Sequence, residues 1–198
     1  MSNLPIIALD LSKRSTGWAV WMGDDSPVSY GSWELGSEYT TRGQTYAKLH
    51  ANLLDLRALS RFEALYFEEP INPNKLKGHT NIDTLRVLSG LAAHAESFGH
   101  AMGLRIVQGI NIDSWRSAFI GRINSSAAKA KAKAAGKSAT DSLKSLTIER
   151  CRQLGFNPRT TDEADALGIL DYCVSMRGVT PPWRTDEVLQ PMMAGGAR

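Results

Sequence analysis

The most constraining feature of the sequence is a change of hydrophobic pattern near residue 40. Before it lie three short segments with the composition of strands, at residues 4–11, 16–22 and 28–35, and a turn signal at residues 24–27. The first segment (LPIIALDL) is almost continuously apolar, as is typical of a strand buried on both faces. Three such segments in immediate succession predict an antiparallel meander.

Beyond residue 40 the pattern alternates between helix and strand. Apolar residues recur at helical spacing over residues 41–60 and 81–102, and short apolar strands follow at residues 62–69 and 104–110. Strands joined through helices usually pair in parallel. Together with the meander, this order predicts an α/β fold whose mixed five-stranded sheet is flanked by helices.

The C-terminal half adds helices and a basic segment. Helices are predicted at residues 111–119, 141–154 and 162–176. Residues 121–140 are rich in Ala and Lys, cannot build a core and predict a mobile basic loop. The charge is concentrated here, because residues 113–159 carry ten Lys and Arg against three Asp and Glu, whereas the whole chain is only +3. Charge alone fits either a polyanion partner or a solvated lysine-rich loop.

We expect one domain over residues 1–177 and a flexible tail over residues 178–198, where Pro and Gly are frequent. No run of about 18 apolar residues predicts a spanning helix, and the N-terminus lacks a secretory pattern. The two cysteines are too few for a disulfide framework, and no Cys/His cluster has zinc spacing. We therefore expect a cytoplasmic protein, or one in the host cytoplasm if it is phage-encoded.

Five carboxylates occupy positions where an acid is unexpected. Asp10 ends the first apolar strand, Glu68 and Glu69 end the strand of residues 62–69, and Asp162 and Asp165 begin an apolar helix. An ionised carboxylate in such surroundings is costly unless it is paired or binds a cation. Several acids that converge on a divalent metal would resolve both this cost and their mutual repulsion.

Ordinary capping explains part of this pattern. Thr160 and Glu163 have the spacing of a capping box, which accounts for Glu163 well and for Asp162 in part. It accounts poorly for Asp165, which an apolar run follows, and Asp10 could simply begin a turn. For any single acid both interpretations stay open, while the joint pattern favours a metal site.

Three short motifs resemble those of a known family. Residues 10–20 (DLSKRSTGWAV), 67–70 (FEEP) and 162–167 (DEADAL) occur in the order of the acidic motifs of RuvC-like Holliday junction resolvases, within the RNase H-like superfamily. The resemblance extends over residues 4–176 and is closer to phage-type relatives than to the cellular resolvase. It implies an RNase H-like fold with the first three strands antiparallel.

The resemblance also implies roles for individual residues. Asp10, Glu68, Asp162 and Asp165 would bind two Mg²⁺ ions, for which Mn²⁺ could substitute, with Glu69 as the alternate ligand to Glu68. Lys144 would be a catalytic residue near the scissile phosphate. Oxygen ligands suit Mg²⁺, and the lack of clustered His and Cys argues against zinc.

Basic residues in the N-terminal turn and in the charged segment would hold the DNA backbone without reading bases. They are Lys13, Arg14, Arg116, Arg122, Lys129, Lys131, Lys133 and Lys137. The resemblance further implies a homodimer, with the helix at residues 81–102 as its face. We expect branched DNA as the partner, with neither a membrane nor a small-molecule cofactor.

These inferences predict a Mg²⁺-dependent, structure-selective DNA endonuclease that acts on branched DNA such as a Holliday junction by a two-metal mechanism. An alternative is a non-cleaving DNA-binding module on the same fold, in recombination or phage DNA packaging. An actin-like phosphotransferase ranks last, because 198 residues leave no room for its second domain. The sequence leaves open the preferred branch, any base preference, the oligomeric state and the role of the tail.

Overall fold

The structure is a computed structural model that describes residues 4–23, 26–70, 82–121 and 139–184, with residues 126, 127, 130 and 134 between the last two ranges. The strands are β1 (Ile6–Asp10), β2 (Thr16–Trp21), β3 (Ser29–Trp33), β4 (Ala64–Glu68) and β5 (Ile106–Ile110). The helices are α1 (Arg42–Ser60), α2 (Ile82–Ala101), α3 (Ile112–Ile120), α4 (Ala139–Gln153) and α5 (Thr161–Met176).

The five strands form one mixed sheet in the order β3-β2-β1-β4-β5. β1, β2 and β3 pair antiparallel, whereas β1–β4 and β4–β5 pair in parallel. This confirms the predicted meander followed by parallel pairing through helices. β1 lies at the centre of the sheet, which explains why its sequence is almost continuously apolar.

Side chains on successive strand residues point to opposite faces, so the sheet has a core on each side. Ile6 and Ala8 of β1 belong to the core under α3, α4 and α5. Ile7 and Leu9 belong to the core under α1 and α2. Eleven of the sixteen residues of α5 are buried, so this helix lies at the centre of its layer.

Two helices near the site begin at well-defined caps. The side chain of Asn111 accepts hydrogen bonds from the backbone N–H groups of Asp113 and Ser114 at the start of α3. Thr160 accepts from the N–H of Glu163 at 3.1 Å at the start of α5. These caps fix where α3 and α5 begin and hence which of their side chains face the sheet.

The first part of the predicted tail is held on the core. Trp183 lies in a short 3₁₀ turn, Pro182–Arg184, and its ring packs against Trp21 and Phe156 at centroid distances of 5.8 and 5.7 Å. The buried carboxylate of Asp171 accepts from Trp183 and Arg184. Residues 179–184 are thus anchored, in contrast to the flexible tail that the sequence predicts, and residues 185–198 lie outside the described residues.

Most of the predicted basic loop at residues 121–140 also lies outside the described residues. Within the described part of the chain, no helix is long and apolar enough to cross a membrane.

Candidate active site

The acids of the first two motifs lie side by side at one edge of the sheet. Asp10 is the last residue of β1, and Glu68 is the last residue of β4. These strands are parallel neighbours, with Leu9 beside Phe67, so Asp10 and Glu68 end at the same edge. Alternation then directs both acids to the face that α5 covers.

The start of α5 lies directly over this edge because Gly17 has no side chain. Gly17 is the partner of Asp10 in the β1–β2 register. A Cβ at position 17 would lie 1.9 Å from the carbonyl oxygen of Asp162. The glycine therefore allows the backbone of α5 to approach the sheet closely, and this brings the third motif to the first two.

Four carboxylates influence one another at this point. Burial raises the pKa of Asp10 well above its usual value, and the negative charges of Glu68, Asp165 and Asp162 raise it further. Burial also raises the pKa of Glu68 to about 7 and that of Asp165 to about 6. The positive charge of Lys144 opposes all three shifts. The three sequence motifs thus form one electrostatic cluster with Lys144 at its side.

Two of the carboxylates are held by consecutive residues of α3. The indole Nε1 of Trp115 donates a hydrogen bond to Glu68 Oε2 at 2.9 Å. Arg116 Nη2 donates to Asp165 Oδ2 at 3.0 Å. Both contacts, like the positive charge of Arg116, favour the ionised carboxylates and limit the upward pKa shifts of Glu68 and Asp165.

Lys144 reaches the cluster through a hydroxyl group. Its Nζ lies 3.4 Å from Thr161 Oγ1, and that hydroxyl lies 3.4 Å from Asp162 Oδ1. Lys144 is half-buried on α4. Its ammonium group therefore lies beside the acidic cluster and stays partly accessible to solvent.

Two other acids of the motifs have different surroundings. Glu163 is buried, and it accepts from the backbone N–H of Arg159 at 2.7 Å and from Ser32 Oγ at 3.4 Å. It is thus part of the helix start, as the capping pattern indicates. Glu69 is exposed, so the structure puts Glu68, and not Glu69, into the cluster.

The structure places the predicted DNA-binding residues in different surroundings. Arg116 requires a correction, because it is 8% exposed and paired with Asp165, so it does not lie on a DNA-binding surface. Lys13 donates to the carbonyl of Thr40 at 2.7 Å, and Arg14 is exposed. The remaining predicted residues lie outside the described part of the chain: Arg122, Lys129, Lys131, Lys133 and Lys137.

Sequence reasoning missed the role of α3. Trp115 and Arg116 contact the acids, whereas the sequence pattern assigned Arg116 to DNA and gave Trp115 no role of its own. One signal was present, since Ile112, Phe119 and Ile120 lie four, three and four positions from Arg116 and are apolar. This spacing puts Arg116 on the buried face of its helix.

The donor atoms of the cluster suit a hard divalent cation. All four acids offer carboxylate oxygens, and Asp165 Oδ1 is buried with no hydrogen-bond partner among the described residues. In that same part of the chain, no three His, Cys, Asp or Glu side chains are already arranged to hold a metal ion.

The sheet order and flanking helices form an RNase H-like fold, with a cluster of acids at the carboxyl ends of β1 and β4. No protein-family model matches the sequence, and the comparison with curated protein sequences gave no match either. Solved structures do match. T. thermophilus RuvC in complex with a Holliday junction substrate has a TM-score of 0.59 at 13% identity, with 90% of this chain and 99% of that chain covered.

A Thermus thermophilus RuvC structure also matches, with a TM-score of 0.55 at 16% identity and with 89% and 98% of the two chains covered. The chain therefore has the fold of the RuvC Holliday junction resolvases, as its motifs predict.

Proposed function

We propose that this protein is a divalent-cation-dependent DNA endonuclease that cleaves branched DNA, with the Holliday junction as its substrate. The observation that carries the proposal is the cluster of Asp10, Glu68, Asp162 and Asp165, in which three separated motifs meet at one edge of the sheet. The structural neighbour that binds a Holliday junction supports the choice of substrate.

Each acid would have a position in the reaction. Asp10 lies between the end of β4 and the start of α5, so we assign it the role of a ligand shared by two ions. Glu68 would complete the ligands on the sheet side, and Asp162 and Asp165 those on the helix side. Two Mg²⁺ ions, or Mn²⁺ in their place, would activate a water molecule and stabilise the leaving oxygen.

The remaining residues would handle the substrate. Lys144 would contact the scissile phosphate with its ammonium group, since it stands beside the acids on α4. Arg14 is exposed in the turn after Asp10 and would bind a neighbouring phosphate. The acids repel DNA when no cation is bound, so we expect productive binding to require the metal as well as these basic residues.

A pair of active sites would cut two strands, and we propose that α2 forms the dimer face. α2 buries Leu91, Ala95 and Phe98 against its own sheet, while Ile82 is 66% exposed. Sedimentation analysis of the purified chain would distinguish a dimer from a monomer in which α2 packs only within its own subunit.

The decisive experiment is a cleavage assay on a four-way junction, a flap and a linear duplex, each with Mg²⁺ and with EDTA. We expect Mg²⁺-dependent cleavage of the junction and its loss in Asp10→Asn. Asp55→Asn, an exposed carboxylate on α1, is the matched control and should cleave like the native protein. Binding of the junction without cleavage under any metal would favour the non-cleaving DNA-binding module.

A further inference from the structure

Trp115 and Arg116 form a buried pair between two of the acids. The Arg116 guanidinium carbon lies 4.6 Å from the centroid of the Trp115 ring. A Cβ at Gly168 of α5 would lie 2.7 Å from that ring, so Trp115 packs tightly on α5. The pair therefore links β4, through Glu68, to α5, through Asp165.

The ion pair between Arg116 and Asp165 uses only one of the two carboxylate oxygens. Asp165 Oδ2 accepts from Arg116 Nη2, whereas Asp165 Oδ1 and Arg116 Nε are both buried and have no hydrogen-bond partner among the described residues. Both residues are buried, at 8% and 3% exposure. A buried arginine and carboxylate are stabilised best when both oxygens are satisfied.

The same protein contains such a fully satisfied pair. Arg184 donates to both oxygens of Asp171, through Nε at 2.8 Å to Oδ1 and through Nη2 to Oδ2. Asp171 lies further along α5, in the anchor of residues 179–184. The two pairs share one helix, yet of these two aspartates it is Asp165 that keeps an oxygen available and whose charge acts on Asp10 and Glu68.

We propose that Arg116 is a positioning residue for the cation site: it holds one oxygen of Asp165, leaves the other for a divalent cation, and gives the acidic cluster a fixed positive charge before that cation binds. The inference rests on the proposed metal site. Arg116 is too deeply buried to contact DNA, and its charge offsets repulsion among carboxylates that would otherwise be buried with little compensation.

The test is thermal unfolding of the full chain in EDTA and in MgCl₂, because a cation that binds only the folded state raises Tm. Arg116→Met removes the charge and keeps most of the side chain volume. In EDTA its Tm should fall by on the order of 10 °C, as when a buried pair is broken. Mg²⁺ should raise the Tm of this variant by more than it raises that of the native chain, because the cation then supplies the positive charge that Arg116 gives to the native cluster.

Two further variants separate charge from packing. Arg105→Met removes an exposed arginine that pairs with Glu63 at 2.8 Å, and it should change neither Tm nor the Mg²⁺ response appreciably. The double variant Arg116→Met with Asp165→Asn removes both buried charges. It should recover most of the Tm that Arg116→Met loses in EDTA.

The outcomes distinguish the inference from the proposed function. A native chain whose Tm does not respond to Mg²⁺ or Mn²⁺ would refute the metal site itself and the inference with it. A native chain that responds, together with an Arg116→Met variant whose Tm rises with Mg²⁺ by the same amount as that of the native chain or by less, would overturn only the inference. If Arg116→Met does not fold, a double variant that also fails to fold assigns Arg116 to packing and overturns it.

Discussion

Gly17 lets α5 lie against the sheet, and Gly17→Ala should therefore disable the site. The added methyl group would lie 1.9 Å from the carbonyl oxygen of Asp162 and 2.4 Å from its carbonyl carbon. Ordinary contact begins at 3.4 Å, so the two backbones would have to separate by roughly 1.5 Å. The added Cβ is fixed to the backbone of residue 17 and the atoms that it meets are backbone atoms of α5, so a side-chain rotation cannot relieve the contact.

This separation would move Asp162 and Asp165 away from Asp10 and Glu68. A misplacement of about 1 Å can reduce catalysis by on the order of 100-fold, while overpacking costs about 1–3 kcal/mol of stability. We expect Gly17→Ala to fold with a modestly lower Tm and to lose cleavage of a four-way junction by at least about 100-fold. Initial rates and thermal melts on the same samples measure both effects.

Gly43→Ala is the matched control, because a Cβ at that exposed position on α1 has nothing within 4 Å. It should retain full activity, and it should be slightly more stable because alanine favours a helix. Cleavage by Gly17→Ala at the native rate would refute the argument that the approach of α5 assembles the site.

Three other predictions concern the choice between Glu68 and Glu69, the pH dependence of stability, and the contact of Trp183 with the core. Glu68→Gln should abolish Mg²⁺-dependent cleavage of a junction, whereas Glu69→Gln should retain it, and the opposite result would reassign the ligand. In EDTA, stability should decrease as pH rises from about 4 to about 7, because burial raises the pKa of Asp165 to about 6 and that of Glu68 to about 7. The folded state then binds more protons than the unfolded state over this window. Mg²⁺ should weaken the decrease in stability, and thermal melts across the pH range measure it. A Tm in EDTA that does not fall between about pH 4 and about pH 7 would contradict this prediction. Trp183→Ala should lower the free energy of unfolding by roughly 2–3 kcal/mol in urea titration, since a half-buried aromatic side chain and its hydrogen bond to Asp171 are lost; an unchanged midpoint would show that the anchor adds no stability.

The sequence was sufficient to predict the sheet and its helices because their signals are local. The run that ends at Asp10 is apolar on both faces, and β1 is the central strand. The helical spacing over residues 41–60 predicts α1 to within one residue, and the cap at Thr160 marks the start of α5. These patterns reflect burial and capping, which neighbouring residues in the sequence decide.

The contacts within the site join residues that are far apart in the sequence, so local patterns could not predict them. Arg116 lies 49 positions from Asp165 in the chain. Its charge alone therefore indicated a residue that contacts solvent or a DNA phosphate. Trp115 contacts Glu68 across 47 positions, and nothing near either residue indicates the other. The requirement for glycine at position 17 likewise depends on the backbone of Asp162, which comes close only in the folded structure.

The sheet also divides the molecule into two regions under different constraints. All four acids lie on the side of the sheet that α3, α4 and α5 cover, while α1 and α2 pack on the opposite face. Substitutions on the outer surface of α1 can therefore accumulate without disturbing the acids, whereas substitutions on α2 would also alter the proposed dimer face. Descendants of this chain could acquire new assembly partners on that side and keep the same chemistry on the other.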